Sequence, residues 1–296
     1  MTKSGDRLDS GEAWDDFCEV IRRAGHSIER WNVAPDPLER AEWYRFMTRL
    51  MRNGLERFVE NREVYRPRLR EASWRSSINV QSPDQDHLLC EFNGVRDLRI
   101  TGNRGSAPYF VIAVWSAAQP ASPGAASWAE RGFEGLKEFD PATLKTTGFL
   151  PSQAIAFKDN GDFEVVLSAQ PHPGNWLKLE PDSVGVLVRI VYHDRAKETP
   201  PTMRIVRADG EQPRAVTPED ISDGLAIAAQ EVTGYADLVW RWWTENLSHR
   251  PNRLRYSQAT YLSNGGVADR HFAFGVWEKN PDEALTITFM PHWSAS

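Results

Sequence analysis

The stretch Val184–Tyr192, which reads VGVLVRIVY, decides the fold. Apart from Gly185 and Arg189, each of its residues is apolar, and most are of the β-branched or aromatic types that favour strands. Because side chains alternate between the two faces of a strand, Leu187 and Val191 share a face with Arg189. The stretch therefore predicts a buried strand that carries one arginine among apolar neighbours.

Shorter β-forming runs surround this strand. Leu98–Thr101 and Tyr109–Trp115 are separated by the glycine-rich turn Gly102–Gly105, so we predict that they form a hairpin. Asn160–Gly161 gives a further turn before the run Phe163–Leu167. Several short strands separated by tight turns predict an antiparallel β-sandwich, jelly-roll-like in arrangement, in the middle of the chain.

Helical periodicity dominates on both sides of the β-rich region. Residues 9–24 form an amphipathic pattern after the capping pair Asp9 and Glu12, with an apolar face made of Trp14, Phe17, Cys18 and Ile21. A second helix is predicted from Pro37, with Asp36 as its N-cap, to about residue 62. The longest helix is predicted over residues 217–248, with Thr217 as its cap.

These elements predict an α+β protein in three regions. Residues 1–85 form a helical N-terminal region, and residues 86–210 form the β-sandwich domain. Residues 211–296 supply one long helix and a C-terminal β segment that packs on the core. Within that segment, residues 272–277 and Ala284–Phe289 both have strand character.

Composition excludes several classes of partner and cofactor. The 296 residues carry a net charge of −6, which argues against nucleic-acid binding and against anionic membrane surfaces. No apolar stretch is long enough to span a bilayer, and the N-terminus lacks the pattern of a signal peptide, so we expect a cytoplasmic protein. Cys18 and Cys90 are interpreted as small core residues rather than as a disulfide.

The sequence contains no standard catalytic or cofactor motif. There is no phosphate loop, dinucleotide fingerprint or serine nucleophile elbow, and the seven histidines lack the spacing of metal ligands, so we expect neither a cofactor nor a metal. The chain does contain 12 tryptophans. Tryptophan often lines ligand sites and interfaces, because its ring is apolar and its N–H needs a partner. A ligand pocket or a homo-oligomeric interface is therefore expected.

Arg189 is the first candidate for a ligand-binding residue. An arginine on an apolar face either pairs with a buried carboxylate or receives an anionic ligand group, and both interpretations stay open. Tyr192, at the end of the same predicted strand, and Tyr109, at the start of another, are further ligand-binding candidates. His193 follows the strand and is a candidate catalytic acid or base, although a solvated turn is the favoured interpretation.

The run His172–Leu177, which reads HPGNWL, is the second candidate. In a functional interpretation His172 transfers protons, Asn175 anchors a polar ligand group and Trp176 forms a pocket wall. In a structural interpretation the proline and glycine shape a tight turn, Asn175 bonds to the backbone and Trp176 closes one end of the sandwich.

Four of these segments together resemble a bacterial family, the domain of unknown function 1214 family. They are Leu98–Gly102 with Tyr109, Asn160–Val165, Gly174–Leu177 and the pair Val188–Arg189. The resemblance extends over about residues 92–207 and implies a β-sandwich core and a bacterial origin. Some members are associated with aromatic or steroid catabolism, but the family supplies no agreed catalytic residues, so none is carried over.

The leading functional hypothesis is an enzyme that needs no cofactor. It would be a lyase, decarboxylase or hydrolase acting on a hydrophobic, aromatic molecule that bears a carboxylate. Arg189 would hold the acid group, and His172 or His193 would move protons. The alternatives are a non-catalytic binding protein for a hydrophobic ligand or glycan and an oligomeric scaffold.

Overall fold

The structure is a computed structural model of the chain. It describes residues 3–30, 36–60, 67–71, 82–92, 96–116, 145–208, 210, 215–247, 251–262, 266–268, 270–271 and 273–289. The long loop expected over residues 117–135 lies outside these residues.

Five α-helices lie at the two ends of the described chain. They are α1 (Lys3–Asp9), α2 (Glu12–His26), α3 (Pro37–Leu55), α4 (Pro218–Leu247) and α5 (Gln258–Leu262). A π-helical turn, Glu56–Glu60, continues α3, and a 3₁₀ turn, Ser27–Arg30, follows α2.

Eleven strands are present among the described residues. They are β1 (Arg70–Glu71), β2 (Gln85–Glu91), β3 (Leu98–Asn103), β4 (Tyr109–Ser116), β5 (Lys145–Pro151), β6 (Asp162–Ser168), β7 (Trp176–Lys178), β8 (Ser183–Val191), β9 (Thr202–Arg207), β10 (Arg255–Tyr256) and β11 (Ala273–Phe274). Strands β10 and β11 pair only with each other.

The other nine strands form two sheets. The five-stranded sheet has the order β1-β2-β8-β4-β5, with every neighbouring pair antiparallel, and the predicted strand β8 lies at its centre. The four-stranded sheet has the order β7-β6-β3-β9. Its strands are antiparallel except for β6 and β7, which run parallel.

The sheets pack face to face around one apolar core. The five-stranded sheet contributes Phe110, Ile112, Val114, Val186, Val188 and Ile190, and the four-stranded sheet contributes Leu98, Ile100, Phe163, Val165, Leu167 and Ile205. Alternation along each strand leaves the remaining side chains on the outer faces. The prediction of an α+β fold with a mostly antiparallel sandwich is therefore confirmed.

The predicted hairpin between β3 and β4 is wrong, because the two strands belong to different sheets. The turn is held by the segment before β9, where the N–H groups of Ser106 and Ala107 donate to the carbonyl oxygen of Thr199. Gly105 has a φ of +59°, and a Cβ there would lie 2.4 Å from that oxygen. The glycines thus let the chain pass close to Thr199 as it crosses from one sheet to the other. They do not form the turn of a hairpin.

The N-terminal helices pack against α4, although α4 lies far along the chain. One cluster joins Trp43, Met47 and Leu50 of α3 to Val232 and Tyr235 of α4. A second cluster joins Ala13 and Phe17 of α2 to Leu225, Ala228 and Ala229 of α4. The helices therefore form a single layer with its own core.

Capping explains where the predicted helix boundaries succeed and fail. Asp36 and Glu39 form the predicted reciprocal capping box at the start of α3. The box expected at Asp9 is absent, because Gly11 at a φ of 80° separates α1 from α2. Cys18 is exposed rather than buried, since the packed face of α2 is formed by Phe17 with Ala13 and Ala24.

The C-terminal β segment is much smaller than predicted. Within the described part of the first run, residues 273–277, only Ala273–Phe274 forms a strand, and Ala284–Phe289 has no regular secondary structure and is exposed throughout. Its residues have the expected strand propensity, but no described segment pairs with them. Propensity alone does not make a strand, because a strand needs a partner for its backbone hydrogen bonds.

Replacing Gly224 tests the close packing of α4. A Cβ at this position would lie 2.2 Å from the carbonyl oxygen of Phe58 in the π-helical turn. Alanine is intrinsically better in a helix by about 1 kcal/mol, but the clash must force the two helices apart. We expect Gly224→Ala to lower the free energy of unfolding by about 1–3 kcal/mol, measured by urea denaturation.

Gly25→Ala is the matched control, since a Cβ at Gly25 would meet nothing closer than 3.9 Å. The control should be neutral or slightly stabilising. Equal effects of the two substitutions would show that α4 does not pack against the turn as described.

Candidate functional site

The outer face of the five-stranded sheet brings polar residues together. In the register of β2, β8 and β4, Arg189 lies directly between His87 and Val111. Paired residues in antiparallel strands point to the same side, so His87 and Arg189 share this face. Tyr109 pairs with Val191, two residues from Arg189, and lies on the same face.

Arg270, from the segment before β11, completes this group. Its guanidinium lies 5.8 Å from the centroid of the Tyr109 ring. We call His87, Tyr109, Arg189 and Arg270 the arginine cluster. All four residues are half-buried, and the Nη1 atom of Arg189 is shielded from solvent.

Burial and the charges of two arginines act together on His87 in the arginine cluster. Burial, together with the charges of Arg189 and Arg270, lowers the pKa of His87 from 6.5 to about 4, against a smaller opposing effect of Asp86. His87 is therefore a neutral imidazole at neutral pH. Two guanidinium groups beside a neutral ring form a site that favours an anion.

Tyr192 and His193 lie apart from the arginine cluster. Tyr192 follows β8 and is buried in the core between the sheets, where its hydroxyl donates to Asp86 Oδ2 at 2.8 Å. Burial and this carboxylate raise the pKa of Tyr192. His193 is exposed, and its backbone N–H donates to Glu198. Neither side chain joins Arg189 on the outer face of β8.

The run His172–Leu177 belongs to the other sheet. Asn175 accepts from the N–H of Ala156 at 2.8 Å and donates to the carbonyl oxygens of Ala156 and Glu164. The Trp176 indole donates to the carbonyl oxygen of Ser168 at 3.1 Å. His172 is exposed, and its Nδ1 lies 3.3 Å from the carbonyl oxygen of Pro173. The contacts of Asn175 and Trp176 are those expected of a structural turn.

A second polar group occupies the other end of the same outer face. Glu91, at the end of β2, receives Arg57 Nε at 2.5 Å and Arg70 Nη2 at 2.7 Å. The Nη1 of Arg57 also donates to Glu231 Oε1 of α4 at 2.5 Å, and Asn53 donates to the same oxygen. We call these five residues the buried ion network.

The pKa values of the two carboxyl groups in the buried ion network shift in opposite directions. Burial would raise the pKa of Glu91, but Arg57 and Arg70 together hold it below its usual value. For Glu231, burial outweighs the attraction of Arg57 and the pKa is raised. Glu231 is fully buried, and its Oε2 atom has no hydrogen-bond partner among the described residues.

A groove lies at the side of the sandwich, where β9 forms the edge of the four-stranded sheet. It encloses about 400 Å³ between residues 67–69 and β9, and we call it the edge groove. Its lining includes Arg68, Arg204 and Arg207 together with Leu69 and Met203. Among the described residues, β9 pairs only with β3, so its other edge carries no strand.

Other kinds of site find no support in the part of the chain that the structure describes. No group of three or more histidine, cysteine, aspartate or glutamate side chains is placed to hold a metal ion there. The helices in that part are too short or too polar to cross a membrane.

Sequence patterns located Arg189 and Tyr109 but missed His87, Arg270 and Glu231. His87 precedes the apolar run of β2 and shows its place only when β2 is set in register with β8. Arg270 and Glu231 are distant in sequence from their partners. A charged residue on the apolar stripe of α4 was the one visible signal for Glu231.

This fold, a helical layer on a two-sheet sandwich, can be compared with known proteins. No family model and no curated protein matches the chain. A crystal structure of an uncharacterized protein from Burkholderia cenocepacia is 31% identical, with a TM-score of 0.76. The match covers 90% of this chain and 68% of that chain.

The fold belongs to the α+β class and combines a two-sheet sandwich with a packed helical layer. At this identity and coverage, the chain belongs to the same family as the Burkholderia cenocepacia protein. A protein from Vibrio parahaemolyticus also matches, at 12% identity and a TM-score of 0.29 over 68% of this chain and 42% of that chain. That likeness is too weak to compare the folds.

Removing Arg57 tests the buried ion network. Arg57→Met leaves two buried carboxylates without the cation that they share, and breaking a buried ion pair in this way is expected to lower stability by about 3–5 kcal/mol. Urea denaturation measures the change. Arg45→Met is the control, because Arg45 pairs with Glu42 on the exposed face of α3. A similar, small effect of both substitutions would contradict a structural role of the network.

The lowered pKa of His87 predicts how the stability of the fold changes as the pH falls. A histidine whose pKa falls from 6.5 to about 4 on folding gives a contribution that is fully present above pH 6.5. That contribution is lost as the pH falls towards 4. We expect His87→Gln to flatten the loss of thermal stability between pH 6.5 and 4, whereas the exposed His172→Gln should leave it unchanged. An unaltered acid slope in His87→Gln would show that His87 is not buried beside the two arginines.

Proposed function

We propose that the arginine cluster binds a small molecule that bears a carboxylate and an apolar, aromatic body. The observation that carries this proposal is the register that places Arg189 beside His87 on a face shared with Tyr109, with Arg270 near the tyrosine ring. A guanidinium binds a carboxylate through two parallel hydrogen bonds, and the half-buried setting strengthens them. The Tyr109 ring offers a surface for an aromatic body.

Ligand binding is supported better than proton transfer. His87 has a pKa of about 4, so it is a weak base and its imidazole stays neutral while it lines the site. The proton-transfer roles expected of His172 and His193 form no part of this proposal, because both residues are exposed outside the outer face. The binding hypothesis therefore replaces the enzyme hypothesis as the leading one.

The resemblance to the domain of unknown function 1214 family stays a prediction, and it agrees with this choice of ligand. Some members of that family are associated with aromatic or steroid catabolism. A bacterial origin would follow from the same resemblance.

Nuclear magnetic resonance of the histidine ring protons tests the proposal. Benzoate is the probe, and benzamide is its uncharged analogue. A carboxylate bound between Arg189 and Arg270 neutralises the charges that lower the pKa of His87, so benzoate should raise that pKa. Benzamide should leave it unchanged, and the resonances of His172 should respond to neither compound.

Arg189→Gln supplies the second arm of this test. It should weaken benzoate binding at least about tenfold, the effect of losing a hydrogen bond to a charged group. Arg99→Gln is the matched control, since Arg99 is exposed on the four-stranded sheet and pairs with Glu164 at 3.6 Å. Benzoate binding that survives Arg189→Gln, or that leaves the pKa of His87 unmoved, would exclude the site.

A further inference from the structure

The segment Ala284–Phe289 presents an apolar face that nothing in the described structure covers. Leu285, Ile287 and Phe289 are 41%, 52% and 61% exposed, and they alternate with Thr286 and Thr288. This is the pattern of a strand with one apolar and one polar face. Three large apolar side chains exposed in a row usually mark a contact with another molecule.

The base of this segment is held firmly. Asn252 accepts from the N–H of Glu278 through its side-chain oxygen and donates to the carbonyl oxygen of Glu278, both at 2.8 Å. The carboxylate of Glu283 then accepts from the N–H of Asn280 in a tight turn. These bonds hold the chain just before Ala284.

The edge groove has the features that such a strand requires. Among the described residues β9 has a strand partner only on its β3 side, and the other side of an edge strand directs N–H and C=O groups of alternate residues outwards, where an added strand can pair. Leu69 and Met203 supply apolar lining for the side chains of an added strand. Arg68 and Arg204 are exposed there and disfavour a basic or neutral partner.

Charge identifies the occupant of the groove. Asp282 and Glu283 directly precede the apolar segment, so a strand entering the groove brings two carboxylates towards Arg68 and Arg204. The donor strand and the acceptor edge are both present on one chain. Two copies related by a two-fold axis can therefore exchange these segments, each giving one strand and receiving one.

We propose that residues 282–289 of one copy add as a strand to the β9 edge of a second copy. The four-stranded sheet of each copy then gains a fifth strand, and the exposed apolar side chains become buried in the edge groove. The product is a closed, strand-exchanged dimer.

Light scattering after size exclusion, on the full chain at several concentrations, tests the proposal. The chain should be a dimer that dissociates on dilution. Ile287→Lys places a charge on the apolar face and should shift the midpoint of dissociation to at least about tenfold higher concentration. Thr288→Lys puts the same charge on the opposite face of the segment and should leave the midpoint within about twofold.

A charge exchange identifies the acceptor. Arg204→Glu should weaken the dimer, because it sets a third acidic group against Asp282 and Glu283. Adding Asp282→Arg to the same chain should restore dimerisation, while circular dichroism shows that each variant is folded. A monomer at every concentration would overturn the proposal, and so would a dimer that is insensitive to Ile287→Lys or that Arg204→Glu leaves intact.

Discussion

The guanidinium of Arg57 is the contact on which the arrangement of the layers depends. It binds Glu91 at the end of β2 and Glu231 in the middle of α4, so one side chain from the π-helical turn joins the sheet to the helical layer. Both partners are removed from water, and Glu231 is fully buried. Buried charges are stable only when paired and well hydrogen-bonded, so this geometry fixes where the helices sit on the sheet.

The same outer face carries two groups of opposite electrostatic character. At the Glu91 end, carboxylates and guanidinium groups alternate, and each charge has a neighbour of opposite sign. At the His87 end, two arginines act on a histidine whose pKa falls to about 4. Because β2 contributes to both ends, the register with β8 that places Glu91 against the helices also places His87 beside Arg189. The register of β2 with β8 therefore positions both the buried ion network and the proposed binding site.

Sequence patterns predicted what depends on local chemistry. The strand β8, the capped start of α3 and the whole of α4 follow from residue type and spacing, and so does Arg189 as an arginine on an apolar face. The patterns failed where distant segments decide the outcome. The turn Gly102–Gly105 resembles a hairpin turn, but its contact with Thr199 sends the chain to the other sheet. His87 and Arg270 became site residues only through pairing and packing.

The segment Ala284–Phe289 also shows that local residue chemistry does not decide the structure alone. Its residues specify a strand as strongly as those of β9, yet the described chain gives them no partner, and three large apolar side chains stay in solvent. Natural sequences usually agree with their folds at every level, and a local conflict of this kind tends to mark a functional surface. In the proposed dimer, this segment obtains its backbone hydrogen bonds from the second copy. In that proposal the acceptor is the side of β9 that has no strand partner among the described residues, where Arg68 and Arg204 face the acidic residues before the segment.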